Sequence, residues 1–163
     1  MASGTVRLAV GDLVVYASHG IGRVESTQSH QEDASETLIL LFESGLKVIL
    51  PLARAHDALR PVSGESELED VRRTLLVETL PVVEPWPRRH RRLQAKLADG
   101  SVSGLAEIVR DGVHRQRRRV KGGPAPVENQ LYRKARELLV AEIAAARSIE
   151  PDVADAWISQ QIC

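Results

Sequence analysis

"LKVILPLARAHDALRPVSGESELEDV", residues 46–71, decides the fold class because its hydrophobic period changes partway along. The first six residues form a short apolar run interrupted by Lys47, a pattern that favours a β-strand. Further along, Leu68 and Val71 recur at helical spacing, and Ser66 with Glu69 three residues later is typical of a helix N-cap. Strands therefore precede helices in this chain, and we predict an α+β fold.

The residues before this segment have the pattern of short strands separated by tight turns. Apolar or alternating runs occupy residues 10–16, 21–27 and 37–42, and the glycine-containing turns SHGIG and ESG follow two of them. Short strands joined by such turns favour a small antiparallel barrel. We assign this predicted module to residues 1–63.

The residues after the segment, 64–163, predict a helical module. The sequence LPVVEPWP, residues 80–87, contains three prolines and cannot be helical throughout. It therefore links the first predicted helix to the others. The helices predicted beyond this link are one from Pro87, one from Ser101 or Ser103, and two over residues 128–147 and 151–158.

Charge is distributed unevenly along the chain, although the formal net charge is zero. Residues 1–80 contain 7 basic and 12 acidic side chains, whereas residues 81–163 contain 15 basic and 10 acidic. Between residues 85 and 136 the excess is greatest, with 14 basic against 4 acidic. The helical module is therefore a candidate for nucleic-acid binding, because cations that neutralise phosphates release counterions.

The sequence has no pattern for catalysis, metal binding or a cofactor, and we predict that the protein is not an enzyme. Its five histidines are scattered without metal-ligand spacing, and no nucleophile elbow, phosphate loop or dinucleotide fingerprint is present. No apolar run approaches the length of a membrane span, and the single cysteine, Cys163, forms no internal disulfide. We expect a soluble, cytoplasmic monomer with no membrane partner.

Two arginine clusters dominate the basic half. The first is RRHRR, residues 88–92, with Glu84 as the acid within one helical turn, and the second is RQRRR, residues 115–119, near Asp111. Each is either a solvated helix face or a surface for a polyanion, and the shortage of acids at i±4 favours the polyanion. The candidate DNA-binding arginines are Arg88, Arg89, Arg91, Arg92, Arg115, Arg117, Arg118 and Arg119.

Trp86 lies between two prolines, two residues before the first cluster. One interpretation is that the indole packs into the helical module. The other is that it acts together with the cations, because a rigid apolar group can wedge into a distorted base step while cations hold the phosphates. The residues alone leave both interpretations open.

Four stretches in order resemble the CarD/CdnL family of bacterial transcription factors, whose first module also occurs in the transcription-repair coupling factor. VGDLVVYASHGIGRVE is similar to the family's opening strands, and the segment quoted first is similar to its later strands and first helix. WPRRHRRLQAKLADGSVSGLAEIVRD and ENQLYRKARELLVAEIA resemble its helical domain. The resemblance spans roughly residues 10–146. It implies a Tudor-like barrel over residues 1–63 and an all-α DNA-binding domain over residues 64–163.

The resemblance implies two partners. The Tudor-like module would bind the β subunit of RNA polymerase through an exposed strand edge, which we expect at His30, Leu46, Lys47 and Ile49. The helical domain would lie on promoter DNA at the upstream edge of the melted bubble, with Trp86 in the minor groove and arginines on the phosphate backbone. The implied result is a stabilised open complex with low sequence specificity, in a nucleoid-associated protein.

The sequence departs from the family pattern at several positions. His90 stands where the family usually has tyrosine, and Gly112 where leucine is common. Ile49 lies on the strand expected to meet the polymerase, where some members carry arginine and others an apolar residue. The loop KGGPAPVE, residues 121–128, replaces a more regular linker. These departures indicate a divergent member.

Two other function classes remain open from the sequence. In the first, the protein is an interaction adaptor whose barrel binds a partner other than polymerase, while the basic helices are a scaffold. In the second, it is a general RNA-binding protein. The low aromatic content, five residues in all, disfavours the RNA-binding class because readers of single strands usually stack bases on aromatic rings.

Overall fold

The chain consists of two compact units, Met1–Val62 and Ser63–Cys163. The computed structural model describes residues 8–17, 19–32, 35–78, 84–118 and 124–162. All the described strands lie in the first unit, and the regular structure described in the second unit is helical. The predicted α+β fold is therefore confirmed.

The first unit is built on one antiparallel sheet. Its strands are β1 (Leu13–Tyr16), β2 (Gly20–Ser29), β3 (Glu36–Phe42), β4 (Lys47–Pro51) and β5 (Leu59–Pro61). They follow the order β4-β3-β2-β1-β5, and no pairing joins β4 to β5 within the described residues. The sheet is open, where the sequence predicted a closed barrel, because closure requires the two end strands to pair. A short helix, α1 (Leu52–Ala58), connects β4 to β5 instead.

Alternation along the strands separates the two faces of the sheet. In β3, Leu38, Leu40 and Phe42 are buried, and the residues between them are partly exposed. Ala55 of α1 is fully buried in the same cluster, so this short helix closes one side of the core. Gly22 of β2 leaves room for the aromatic ring, because a Cβ there would lie 3.0 Å from Phe42.

The second unit contains helices whose ends follow from local sequence. They are α2 (Glu65–Leu76), α3 (Trp86–Asp99), α4 (Val102–Arg117), α5 (Pro126–Arg147) and α6 (Pro151–Gln161). The predicted N-cap of α2 at Ser66 is wrong, because the observed N-cap lies two residues earlier in the sequence. The N-cap is Gly64, whose N–H donates to the Glu67 carboxylate at 2.8 Å.

The connection between α3 and α4 uses two capping residues. Gly100 has a φ of 66°, the left-handed conformation that commonly ends a helix. Ser101 then caps α4, with its Oγ accepting a hydrogen bond from the Gly104 N–H at 3.2 Å. Of the two serines that the sequence offered for this cap, the structure therefore selects Ser101.

The core of the second unit is an apolar cluster shared by the helices. Leu75, Leu93, Leu139 and Ile158, from four different helices, are each at most 1% exposed. Helices α4 and α5 approach closely at Gly112, where a Cβ would lie 2.7 Å from the Tyr132 ring. A leucine at that position is excluded unless Tyr132 moves. Glycine therefore replaces the family's leucine here because the Tyr132 ring occupies the space that a side chain would need.

Candidate nucleic-acid interface

Trp86 begins α3 and is partly exposed. Pro85 precedes it with extended backbone angles, and Pro87 occupies the first turn, where its missing N–H costs no helical hydrogen bond. The His90 ring lies one turn later, with its centroid 4.9 Å from that of the indole. The prolines and His90 therefore restrain an aromatic side chain that still reaches solvent.

Arg89 lies beside Trp86, and each of its three guanidinium nitrogens donates to an acceptor inside the unit. Its Nε and Nη2 donate to the two carboxylate oxygens of Glu128 at 3.0 and 3.2 Å. Its Nη1 donates to the Glu84 carbonyl oxygen at 2.8 Å. The guanidinium carbon lies 5.3 Å from the centroid of the Trp86 ring, within the range of a cation–π contact.

Glu128 is the centre of a buried ionic network, since its side chain is 1% exposed. Besides Arg89, its Oε1 accepts a hydrogen bond from the Tyr132 hydroxyl at 2.6 Å and lies 2.8 Å from the Arg115 Nε. Burial acts to raise the pKa of this carboxyl. The hydrogen bonds from Arg89 and Tyr132 and the charges of both arginines outweigh burial and hold the pKa below its usual 4.5. The group is therefore ionised at neutral pH.

Tyr132 responds to the same network in the opposite direction. Burial, and then its hydrogen bond to Glu128, raise the pKa of the Tyr132 hydroxyl far above its usual value. The hydroxyl therefore remains a donor at any physiological pH. Because its ring packs against Gly112, this donor is held in place by the approach of α4 to α5.

The sequence interpretation that both clusters lack acid partners is wrong for Arg89 and Arg115. Their side chains are 12% and 19% exposed, and both pair with Glu128, which lies 39 and 13 residues further along the chain. No i±4 rule reaches so distant a partner. Arg92 pairs with Glu84, as the sequence suggested, at 3.2 Å.

The remaining arginines of the two clusters are more accessible. Arg88 and Arg91 are exposed on α3, and no ion pair joins them to an acid within the described ranges. Arg118 is likewise exposed and has no such acid partner there. Arg117 is exposed and donates to the Ile162 carbonyl oxygen at 3.4 Å. Arg119 lies outside the described residues.

Three of the four residues expected to meet polymerase lie on or next to the edge strand β4, and the fourth, His30, follows β2. Ile49 is 65% exposed, and Leu46, just before β4, is 45% exposed. Lys47 is exposed, with its Nζ 2.9 Å from the Glu25 carboxylate. His30 follows β2 and contacts Thr37, the residue opposite Pro51 at the far end of β4, at 3.5 Å.

Ile49 has an apolar neighbour on the same face. It pairs directly with Ile39 of β3, which is partly buried. Such a pair on an edge strand presents both apolar surface and unpaired backbone groups to a partner. The edge is therefore suited to adding a strand.

The described residues also bear on two other kinds of feature, metal centres and membrane spans. They contain no cluster of His, Cys, Asp or Glu with the geometry to hold a metal ion. No helix within them is both long enough and apolar enough to cross a membrane.

Sequence reasoning missed Glu128 and Tyr132. Glu128 lies in the first turn of α5, where an acid is usual because it complements the helix dipole. The four-residue spacing to Tyr132 places the two side chains on one face of the helix. That spacing is the only local indication of their contact, and nothing local indicates that the acid is buried.

Comparisons with known proteins agree along most of the chain. The family described as "CarD-like/TRCF RID domain" matches residues 8–63, and "CarD, C-terminal domain" matches residues 70–159. The chain is also similar to a Bacillus subtilis (strain 168) protein named "Putative transcription factor YdeB". The two are 23% identical over 144 residues, which cover 86% of this chain and 92% of that protein.

Proposed function

The chain belongs to the CarD family, and from that premise we propose that this transcription regulator stabilises open promoter complexes by contacting RNA polymerase and promoter DNA together. The helical unit is the proposed DNA-binding part. The β4 edge of the first unit is the proposed contact with the polymerase β subunit.

One observation carries the DNA-binding half of the proposal. A partly exposed tryptophan begins α3, and the exposed Arg88 and Arg91 follow within two turns. In this arrangement Trp86 enters a distorted minor-groove step, while Arg88 and Arg91 contact the flanking phosphates. Arg118 adds a further cation for the backbone. Contacts of this kind depend on DNA shape rather than on base sequence.

The edge strand supports the polymerase-binding half. A strand that lacks a partner on one side can pair with a strand of another protein, and alternate side chains then set specificity. Lys47 and Ile49 both project from the same face of β4, since they are two residues apart. Ile49 supplies the apolar contact, and the ion pair between Lys47 and Glu25 supplies polar groups beside it.

Stabilisation of the open complex follows from linkage. A wedge that prefers unwound DNA shifts the promoter toward the open state by its difference in affinity for the two states. Attachment to polymerase raises the local concentration of the helical unit at the promoter, so a weak DNA contact is sufficient. Isolated DNA binding should then be weak, salt-sensitive and poorly sequence-selective.

The test is the lifetime of a competitor-challenged open complex formed with the full chain. We expect Trp86→Ala to shorten that lifetime and Trp86→Phe to retain part of the effect, because phenylalanine keeps a flat apolar ring. Unchanged lifetime in Trp86→Ala would refute the wedge. Loss of polymerase binding in Ile49→Glu, measured by calorimetry with a β-subunit fragment, tests the other half.

A second candidate, a protein-interaction adaptor, is favoured by one observation. Four arginines of the two clusters, Arg89, Arg92, Arg115 and Arg117, make contacts within the chain. A scaffold would use its cations in this way. The double variant Arg88→Glu/Arg91→Glu separates the candidates, because an adaptor retains its effect on transcription whereas a DNA-dependent regulator loses it.

A further inference from the structure

We propose that Glu128 is a positioning residue for the candidate DNA interface: it holds Arg89 against Trp86 and keeps Arg89 and Arg115 from contacting phosphate. This inference rests on the proposed function, because it gives Trp86 a task that depends on its orientation. It also divides the candidate arginines into two groups. Arg89 and Arg115 belong to the support, and Arg88 and Arg91 belong to the contact surface.

The guanidinium nitrogens of Arg89 are directed to acceptors within the unit. All three guanidinium nitrogens donate to acceptors within the unit, two to Glu128 and one to the Glu84 carbonyl oxygen. The two remaining N–H groups belong to a side chain that is only 12% exposed, so phosphate has little access to them. A bidentate pair with a buried carboxylate is among the stronger charge-assisted contacts, so Arg89 favours its internal partner.

The burial of Glu128 makes this carboxylate dependent on its partners. A carboxylate that is 1% exposed is tolerated only when charge partners and hydrogen bonds satisfy it, and here two arginines and one hydroxyl do so. Glu128 lies on α5, Arg89 on α3 and Arg115 on α4. One acid therefore fixes a cation on each of two neighbouring helices.

The contact between Arg89 and Trp86 links the indole to Glu128. The guanidinium is 5.3 Å from the indole centroid and is held there by the same hydrogen bonds. If Glu128 became neutral, Arg89 would lose its charged partner and rotate toward solvent. Trp86 would then lose one of the side chains that restrain it, while His90 would remain. The position of the indole thus depends on a carboxylate that does not contact it.

The experiment compares Glu128→Gln with Glu137→Gln in full-length protein. Glu137 is exposed on the same helix, so its substitution removes one negative charge without touching the network. Both changes are made in a Trp157→Phe background, which leaves Trp86 as the sole tryptophan. Circular dichroism at the working temperature restricts the comparison to folded protein.

We expect four changes in Glu128→Gln that the control lacks. The emission of Trp86 shifts and its anisotropy falls, because the indole is less restrained. The salt dependence of binding to plain duplex DNA steepens by about one to two units, because Arg89 and Arg115 become available to phosphate. The open-complex lifetime falls by about fivefold, comparable to the loss of a cation–π contact.

A steeper salt dependence of duplex binding together with a shorter open-complex lifetime would exclude a merely structural role. General destabilisation would weaken duplex binding and shorten open-complex lifetime together. Unchanged Trp86 emission in folded Glu128→Gln would overturn the inference. If Trp86→Ala has no effect on open complexes, the proposed function fails, yet the emission and salt-slope results still decide whether Glu128 positions Trp86.

A second variant keeps the test decisive if Glu128→Gln does not fold. Arg89→Gln removes the middle member of the chain of contacts and leaves Glu128 paired with Arg115. We expect the same shift in Trp86 emission and the same loss of open-complex lifetime, without a steeper salt dependence. Normal emission and lifetime in this variant would show that Arg89 does not support Trp86, and the inference would be wrong.

Discussion

The first arginine cluster, residues 88–92, leaves two exposed arginines without an acid partner among the described residues, whereas the described part of the second cluster, residues 115–118, leaves Arg118 in that state. In the first, Arg88 and Arg91 are exposed and have no acid partner in the described part of the chain. In the second, Arg115 is partly buried against Glu128, and Arg117 contacts the carbonyl of Ile162. The count of cations in a sequence is therefore not the charge that a surface presents.

Helix geometry explains the difference within the first cluster. Arg88 and Arg91 are three residues apart and share the solvent face of α3, whereas Arg89 lies on the side of the buried Leu93. Glu128 pairs with one arginine from each cluster, so a single buried acid withdraws one cation from each of them. Changes to that acid should affect both clusters, and changes to the exposed pair should affect only the first.

The largest expected effect is that of Glu128→Ala on stability. Removal of the carboxylate leaves Arg89 and Arg115 poorly exposed and without their acid, and it leaves the Tyr132 hydroxyl without its acceptor. Breaking a buried pair in this way costs about 3–5 kcal/mol. Urea denaturation followed by circular dichroism measures the loss.

Glu137→Ala is the matched control for that variant. This exposed residue lies on the same helix, and a surface substitution changes stability by about 0.5 kcal/mol or less. Equal stabilities for the two variants would mean that the network contributes nothing, and the comparison between the clusters would lose its cause.

The next effect concerns Gly112, which lies one turn before Arg115. A methyl group there would lie 2.7 Å from the Tyr132 ring and would force α4 away from α5. We expect Gly112→Ala to destabilise the protein by about 1–3 kcal/mol, although alanine is the better helix former. Thermal or urea unfolding measures the change.

The sign should reverse when Tyr132 is removed. In a Tyr132→Ala background the ring contacts at 2.7 Å are lost and only the Cβ contact at 3.2 Å remains, so Gly112→Ala becomes neutral or stabilising by up to about 1 kcal/mol. The same destabilisation in both backgrounds would point to a cause other than the aromatic ring.

Most of the fold followed from periodicity and punctuation in the sequence. The short apolar run of β3, the turns that bound the strands and the helical spacing of α5 depend on neighbours that are close in sequence. The helix α1 was missed because seven residues are too few to establish a helical period. The open sheet was missed because pairing between end strands depends on distant residues.

The candidate site was predicted only in part, for the same physical reason. Trp86 and the exposed arginines were identifiable because density of charge and flanking prolines are local properties. The partial burial of Arg89 and Arg115 depends on Glu128, which comes from another helix and meets them only after packing. Long-range ion pairs have no periodicity in the sequence.

A smaller effect is expected when the exposed pair, Arg88 and Arg91, is removed and DNA binding is measured. Arg88→Gln/Arg91→Gln removes two phosphate contacts, so affinity for duplex DNA should fall by about tenfold and the salt slope by about two units. Arg72→Gln/Arg73→Gln is the control of equal charge, because these α2 residues are exposed and lie outside both clusters. Fluorescence anisotropy across a salt series measures both pairs. Equal losses would mean that net charge, rather than the first cluster, governs binding.

The smallest expected effect is the pH dependence contributed by Glu128. Its pKa is below 4.5 in the folded protein and at the usual value when unfolded, so the unfolded chain binds more protons near that pH. The stability it contributes is complete above pH 4.5 and is lost as the pH falls through the folded pKa. The stability gap between the native chain and Glu128→Gln should therefore be constant near neutrality and shrink below pH 4.5. Other carboxylates titrate in both proteins and largely cancel in the difference. Urea denaturation of both proteins over this range measures the gap, and a gap that stayed constant or grew on acidification would show that the network does not depend on the ionised carboxylate.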